Sequence, residues 1–304
     1  MADKPDQRHH AFYFADGTLI FRAQNVLFKV HKRILADKSL TFETMFYANE
    51  HAGIRPLRQD RGSTDDKPIL VPEQISDTAF ELFLSVCYDK WRPDSSQVGE
   101  SVVVELLELS RMYESQDVRK YAIKLLSFTD WYTVKPIDLA SIALKYQIKH
   151  IFCRAFRQLI PLRINDIEDS EFELLDFPVW RSLFRLRERL DIHRRIVACE
   201  PPRLVHSVGC EDHQRCHDDW RQLWWNGMGR FLLDGRNPQS FDDAILQFQG
   251  LSYGAMSPEC WRKMIKCVKE GKAFLHEDDL VDRAVQGLAD FIIREPISDY
   301  TPFS

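Results

Sequence analysis

Residues 16–46 read DGTLIFRAQNVLFKVHKRILADKSLTFETMF, and a change of period inside this stretch decides the fold. Leu19, Phe21 and Ala23 alternate on one strand face, and Val26, Phe28 and Val30 do the same beyond Gln24-Asn25. Period-two spacing on both sides of a short Asn-bearing turn predicts a β-hairpin. From residue 32 the spacing switches. Ile34, Leu35, Leu40, Phe42, Met45 and Phe46 predict two short helices, broken near Ser39.

Downstream, HAGIRPLRQDRGSTDDK at 51–67 is polar and carries Gly and Pro, so it reads as a surface loop. ILV between Pro68 and Pro72 reads as a short strand. Helical spacing then takes over. Phe80, Phe83, Leu84, Cys87 and Tyr88 form one stripe; Val103, Leu106, Leu107, Ser110 and Tyr113 another; Val118, Tyr121, Ala122 and Leu125 a third. The stripes Leu139–Tyr146 and Phe152–Ile160 follow across short links, the pattern of antiparallel helical neighbours. The fold class expected is α+β: a small sheet with a helical cluster, then a mostly helical extension.

Composition narrows the functions. The chain has 304 residues, 44% hydrophobic and 29% charged, enough for two domains and too apolar for wholesale disorder. A net charge of −5 gives no whole-chain footprint for duplex nucleic acid, so nucleic acid is not an expected partner. MADKPDQRHH has no secretory pattern, and no apolar run approaches the ~20 residues that cross a bilayer. Seven irregularly spaced cysteines suit a reducing compartment, and the expected location is cytoplasmic, nuclear or both. The sequence holds no G-x-S-x-G, no G-x-x-x-x-G-K and no HExxH, and no enzyme is expected.

The opening segment resembles a BTB/POZ domain, on Asp16, Phe28, His31, Lys32, Leu35, Ser39, Phe42, Met45 and Phe46. ILVP at 69–72, FELFLSVCYD at 80–89 and ELLELSRMYESQDVRKYAIKLL at 105–126 are similar to the family's later blocks, in order. The resemblance implies a protein-interaction module with protein partners, self-associating through the edge near the hairpin and the helices of 32–48. An obligate interface of this kind buries well over ~1,000 Å². Family members place an Asp at the start of the first strand and a basic residue after the His. Here the first falls on Thr18, with Asp16 two residues earlier on the same strand face, and the second is Lys32. Members that bind cullins carry a hydrophobic-x-Glu element; here Ala48-Asn49-Glu50 keeps the Glu with only a methyl group at the hydrophobic position. A cullin-ligase adaptor is an alternative reading, and a transcriptional regulator that touches DNA through the basic helix at 181–195 is another.

The layout expected is a disordered 1–11, a BTB/POZ-like domain over 12–130, a helical extension over 131–199 similar to the one that follows such domains, and a helical region over 200–304. A BTB-like start with a cysteine- and tryptophan-bearing helical tail looks like the set of such proteins in basidiomycete fungi. The two prolines of CEPPRLVHSVG at 199–209 mark the internal break. The arginines at 181, 185, 187, 189, 194 and 195 read as a solvated helix face, and Ser257-Pro258 as a helix start. Trp220, Trp224 and Trp225 could stack on bases or sugars, but at their helical spacing they read as core residues.

Cys210, His213 and Cys216 lie close enough in sequence to hold a structural zinc, with His217, His206, Cys199, Cys260 or Cys267 as the fourth ligand. The other reading of the same residues is buried cysteines and surface histidines, with no cofactor.

Overall fold

The computed structural model describes residues 6–52, 62–90, 92–93, 97–128, 134–235 and 239–294. It divides into two compact units, Met1–Val134 and Lys135–Ser304. In the first, strands β1 (Gln7–Tyr13), β2 (Leu19–Ala23) and β3 (Val26–Val30) precede helices α1 (Lys32–Lys38) and α2 (Leu40–Ala52). Strand β4 (Ile69–Leu70) and helices α3 (Asp77–Cys87), α4 (Glu100–Met112) and α5 (Gln116–Phe128) follow.

The sheet order is β1-β3-β2-β4. The expected hairpin is β2–β3, antiparallel from Leu19↔Val30 to Ala23↔Val26, and Gln24 takes the positive φ of its turn. β4 joins β2 in parallel. Phe21, Phe28, Phe42 and Phe80 are buried together under the sheet, with Phe21–Phe80 and Phe28–Phe80 centroids 5.3 and 5.1 Å apart.

β1 corrects the expectation of a disordered 1–11: residues 7–11 belong to a strand, and residues 1–5 lie outside the described ones. QRHHAFY carries a single fully buried side chain, Phe12, so it shows no period-two signal. β1 nevertheless pairs in parallel with β3, through a register shift between Arg8 and Tyr13. His9 repairs that irregularity. Its Nδ1 accepts from the N–H groups of Ala11 (3.2 Å) and Phe12 (3.0 Å), and its ring stacks on Phe28 at 4.7 Å. Burial holds the His9 pKa below its ordinary value, which keeps the ring neutral and able to accept. Asp65 accepts from Arg8 (2.7 Å) and from the Tyr13 hydroxyl (2.6 Å), closing the outer side of the strand.

Two helix ends in this unit are made without glycine. α3 and α4 stop at Tyr88 and Tyr113, followed by Asp89 and Glu114 at positive φ. The N–H of Lys90 then bonds Ser85 O and that of Ser115 bonds Ser110 O, each at 2.9 Å. This is the Schellman closure, in which a left-handed residue lets the chain turn back onto orphan carbonyls.

The second unit contains α6 (Pro136–Lys145), α7 (Lys149–Leu159), α8 (Asp169–Phe172), α9 (Phe177–Cys199), α10 (His213–Trp224), α11 (Arg230–Leu233), α12 (Phe241–Gln249), α13 (Pro258–Lys269) and α14 (Lys272–Ile292). The helices expected up to residue 199 and those beyond 200 fall within this one unit. α9 ends where Pro201-Pro202 forbid continuation, and residues 201–207 carry no regular structure. Ser257 precedes Pro258 at the head of α13.

Trp220 and Trp224 are buried among Phe248, Met256, Trp261 and Met264 as expected, but Trp225, expected in the core with them, is exposed. Their indole N–H groups are satisfied: Trp220 donates to Pro202 O at 2.9 Å, and Trp224 is shared between Val197 O and Ala198 O at 3.2 and 3.1 Å. Between α10 and α11 the helix widens into a π turn, Trp225–Gly229. A Cβ on Gly227 would stand 2.5 Å from Leu251 Cδ1 and 2.8 Å from Phe248 Cδ2. Gly227→Ala is therefore expected to destabilise this unit by about 1–3 kcal/mol, the usual cost of overpacking. Gly229→Ala, whose nearest neighbours stand at 3.5 Å, costs less. Paired urea melts of the two variants check the ordering.

Candidate functional site

The residues that carried the resemblance divide into core and surface. Phe28, Leu35, Ser39 and Phe42 are buried. Ser39 ends α1 and starts α2: its hydroxyl accepts from Phe42 N at 3.1 Å and donates to the Tyr113 carbonyl. The Phe42 ring lies 4.4 Å from Tyr113 and 5.6 Å from Phe46, so one face of α2 is anchored to the end of α4.

His31 forms a small polar cluster. Its N–H donates to the Tyr88 hydroxyl at 2.8 Å, and its Nδ1 lies 2.9 Å from the same oxygen. Burial pushes the Tyr88 hydroxyl up to about 12, so it keeps its proton and can donate to Nδ1. His31 Nε2 faces Asp16 Oδ1 at 3.3 Å. Asp16 sits in the turn before β2 and not on the strand face where spacing placed it. Its own backbone N–H, then His31, hold its pKa below the usual carboxylate range. Thr18 Oγ1 accepts from Lys32 N at 3.1 Å, and Lys32 Nζ stands 5.7 Å from the Phe46 ring centroid. The basic residue meets an aromatic face, a modest cation–π contact.

The exposed residues of α2 are mixed in character, with Glu43 and Thr44 in solvent beside apolar ones. Leu40 and Met45 are 57% and 52% exposed, and Tyr47 is 38% exposed. Leu40 and Tyr47, seven residues apart, share one helical line. The side chains of Ala48-Asn49-Glu50, on which a cullin contact was expected to turn, lie outside the described residues.

In the second unit His206, Cys210, Cys216 and Cys260 converge, with one ligand atom from each lying within 4.8 Å of all the others. Cys210 and Cys216 were expected, and His206 and Cys260 come from the candidates for a fourth position. His213 is not in the group: its ring stacks on His206, centroids 4.1 Å apart. His217 pairs with Asp218, and Cys199 and Cys267 are exposed. Cys216 and Cys260 are 2% and 0% exposed. Burial pushes the Cys216 thiol up to about 12 and raises Cys210 as well. Burial also opposes ionisation of Cys260, yet the Ser207 hydroxyl and N–H, then His206 and Cys210, bring it down to about 6.

A cleft of about 590 Å³ opens in the same unit, lined by Arg157, Arg187, Arg194, Phe241, Lys269 and Glu277 among others. Three of its arginines have structural partners. Arg157 meets Asp282 at 2.8 Å, Arg194 meets Glu277 at 2.6 Å, and Arg187 donates to the carbonyls of Leu159, Ile160 and Leu162 beyond the end of α7. The arginine run of α9 therefore has two members, Arg187 and Arg194, that serve packing, while 181, 185, 189 and 195 are exposed as expected.

The first unit is a small mixed sheet packed with a helical cluster. Residues 6–129 match the family model of the BTB/POZ domain. The chain carries a BTB/POZ domain, which belongs to a protein-interaction family, followed by a helical region. No curated protein matches the chain. Among the described residues, no helix is long and apolar enough to cross a membrane.

Proposed function

We propose that the chain is a scaffold or adaptor that self-associates through its BTB/POZ domain and presents the helical region to a protein partner, with no catalysis of its own. The observation that carries this reading is α2, which buries Phe42 and leaves the apolar side chains of Leu40, Met45 and Tyr47 exposed. Apolar area held on a rigid helix gains free energy when a second polypeptide covers it, at about 25 cal/mol per Å². The DNA-regulator reading has less support, because Arg187 and Arg194 are held by carbonyls and by Glu277. The expected setting is the cytoplasm or nucleus, in keeping with seven free cysteines.

Leu40→Asp combined with Met45→Asp tests the surface. Both positions are exposed, so the melting temperature should move little. The weight-average mass in sedimentation equilibrium should fall toward that of one chain. An unchanged mass would remove α2 from the interface.

A further inference from the structure

We propose that His206, Cys210, Cys216 and Cys260 bind one structural Zn²⁺ that staples the irregular segment after α9 to the first turns of α10 and α13. The proposal is independent of the self-association reading. Cys₃His is a soft donor set that suits tetrahedral zinc, and four protein ligands leave no open position for substrate, which marks the site as structural.

The local architecture delivers the ligands from three places. Asp212 caps α10, accepting from Arg215 N at 3.0 Å, while Cys216 N donates to Asp212 O at 3.1 Å, so Cys216 is fixed in the first turn. Cys260 lies in the first turn of α13, behind Ser257-Pro258. His206 and Cys210 come from the segment between α9 and α10, Nδ1 and Sγ 3.4 Å apart. Sulfur and nitrogen ligands around one zinc lie ~3.7 Å apart, given Zn–S near 2.3 Å and Zn–N near 2.0 Å. A cluster within 4.8 Å closes to that spacing by side-chain rotation.

The surroundings fit a metal site. Ser207 N–H points at Cys260 Sγ at 3.1 Å, with the Ser207 hydroxyl 3.4 Å away, the outer hydrogen bonding that orients and stabilises a metal thiolate. Lys263 Nζ lies 3.3 Å from His206 O, a cation near a centre that would carry a net negative charge. Residues 201–207 form no helix or strand. A four-point crosslink supplies the order that regular hydrogen bonding does not. His213, stacked on His206, acts in the next shell, as a plate that holds the ligand ring.

The test is metal analysis of the full chain after exhaustive dialysis. The expected result is about one zinc per chain, falling at least ~10-fold in Cys216→Ser and Cys260→Ser and retained in His213→Ala. Because a serine variant can fail to fold, cobalt substitution of the unmodified chain gives a second readout. It should show thiolate-to-cobalt charge transfer and the intense visible bands of four-coordinate cobalt. An unmodified chain that holds no zinc and gives no thiolate–cobalt signature overturns the proposal. So does retention of zinc by both serine variants, or titration of free thiols showing that two of the three cysteines form a disulfide.

Discussion

Phe42→Ala lowers the unfolding free energy of the BTB/POZ unit by about 3–5 kcal/mol, the range for removing a buried aromatic ring whose cavity cannot collapse. The ring is 1% exposed and sits between Tyr113 at 4.4 Å, Phe46 at 5.6 Å and Phe21 at 5.7 Å, so neighbours on the sheet, α2 and α4 all lose contacts. The neighbours are themselves large rings, stiff and poorly suited to filling the gap. Met45→Ala, three residues away on the same helix and half exposed, should change stability by only about 0.5 kcal/mol. Urea titration of the two variants, with unchanged slope, checks the contrast. Equal midpoints would mean that α2 does not pack as described.

The second large effect is expected at Trp224. Trp224→Ala should cost the helical unit about 3–5 kcal/mol, since the indole fills the centre of a cluster with Trp220 at 5.5 Å and Phe248 at 5.7 Å. Trp224→Phe separates the two contributions. It keeps an aromatic ring and loses the N–H shared between Val197 O and Ala198 O, which tie α10 to the end of α9. Such a loss leaves buried carbonyls short of a donor and costs about 1–3 kcal/mol. Trp225→Ala, at an exposed position one residue on, is the control and should be close to neutral. Thermal melts followed by tryptophan fluorescence would rank the three variants. Trp225→Ala melting as low as Trp224→Ala would contradict the assignment of core and surface.

Much of the BTB/POZ unit is legible because its elements carry strong periodic patterns. The hairpin, the break at Ser39 and the stripes of α3, α4 and α5 all announce themselves by spacing. β1 does not, because an edge strand with one buried side chain owes its order to a partner strand, to Asp65 and to the backbone-accepting ring of His9. Helix ends are hidden for a related reason. Asp89, Glu114 and Gln147 take the left-handed conformation that glycine usually marks, after Tyr88, Tyr113 and Tyr146. Each is compelled by the packing of the helices it joins.

The cluster in the second unit shows how far sequence proximity reaches. Cys210 and Cys216 are neighbours in sequence, and they converge. His213 lies between them yet turns to stack on His206, because Asp212 caps α10 and fixes the direction in which each first-turn residue projects. Cys260 enters from α13, through a helix pairing that no local pattern encodes. The arginine run divides in the same way. Composition alone suggests a uniform solvated face, but α7 ends against α9 and its carbonyls recruit Arg187, while α14 brings Glu277 to Arg194. The pair is partly buried, and its geometry is bidentate, the form in which an arginine–carboxylate contact orders its surroundings best.

The central claim is that the BTB/POZ unit is completed by a second polypeptide, in the first instance another copy of this chain. Light scattering coupled to gel filtration at micromolar concentration tests it most directly. The account predicts a mass at least twice the 35.8 kDa of one chain. A mass of one chain, unchanged as concentration rises a hundredfold, would contradict it.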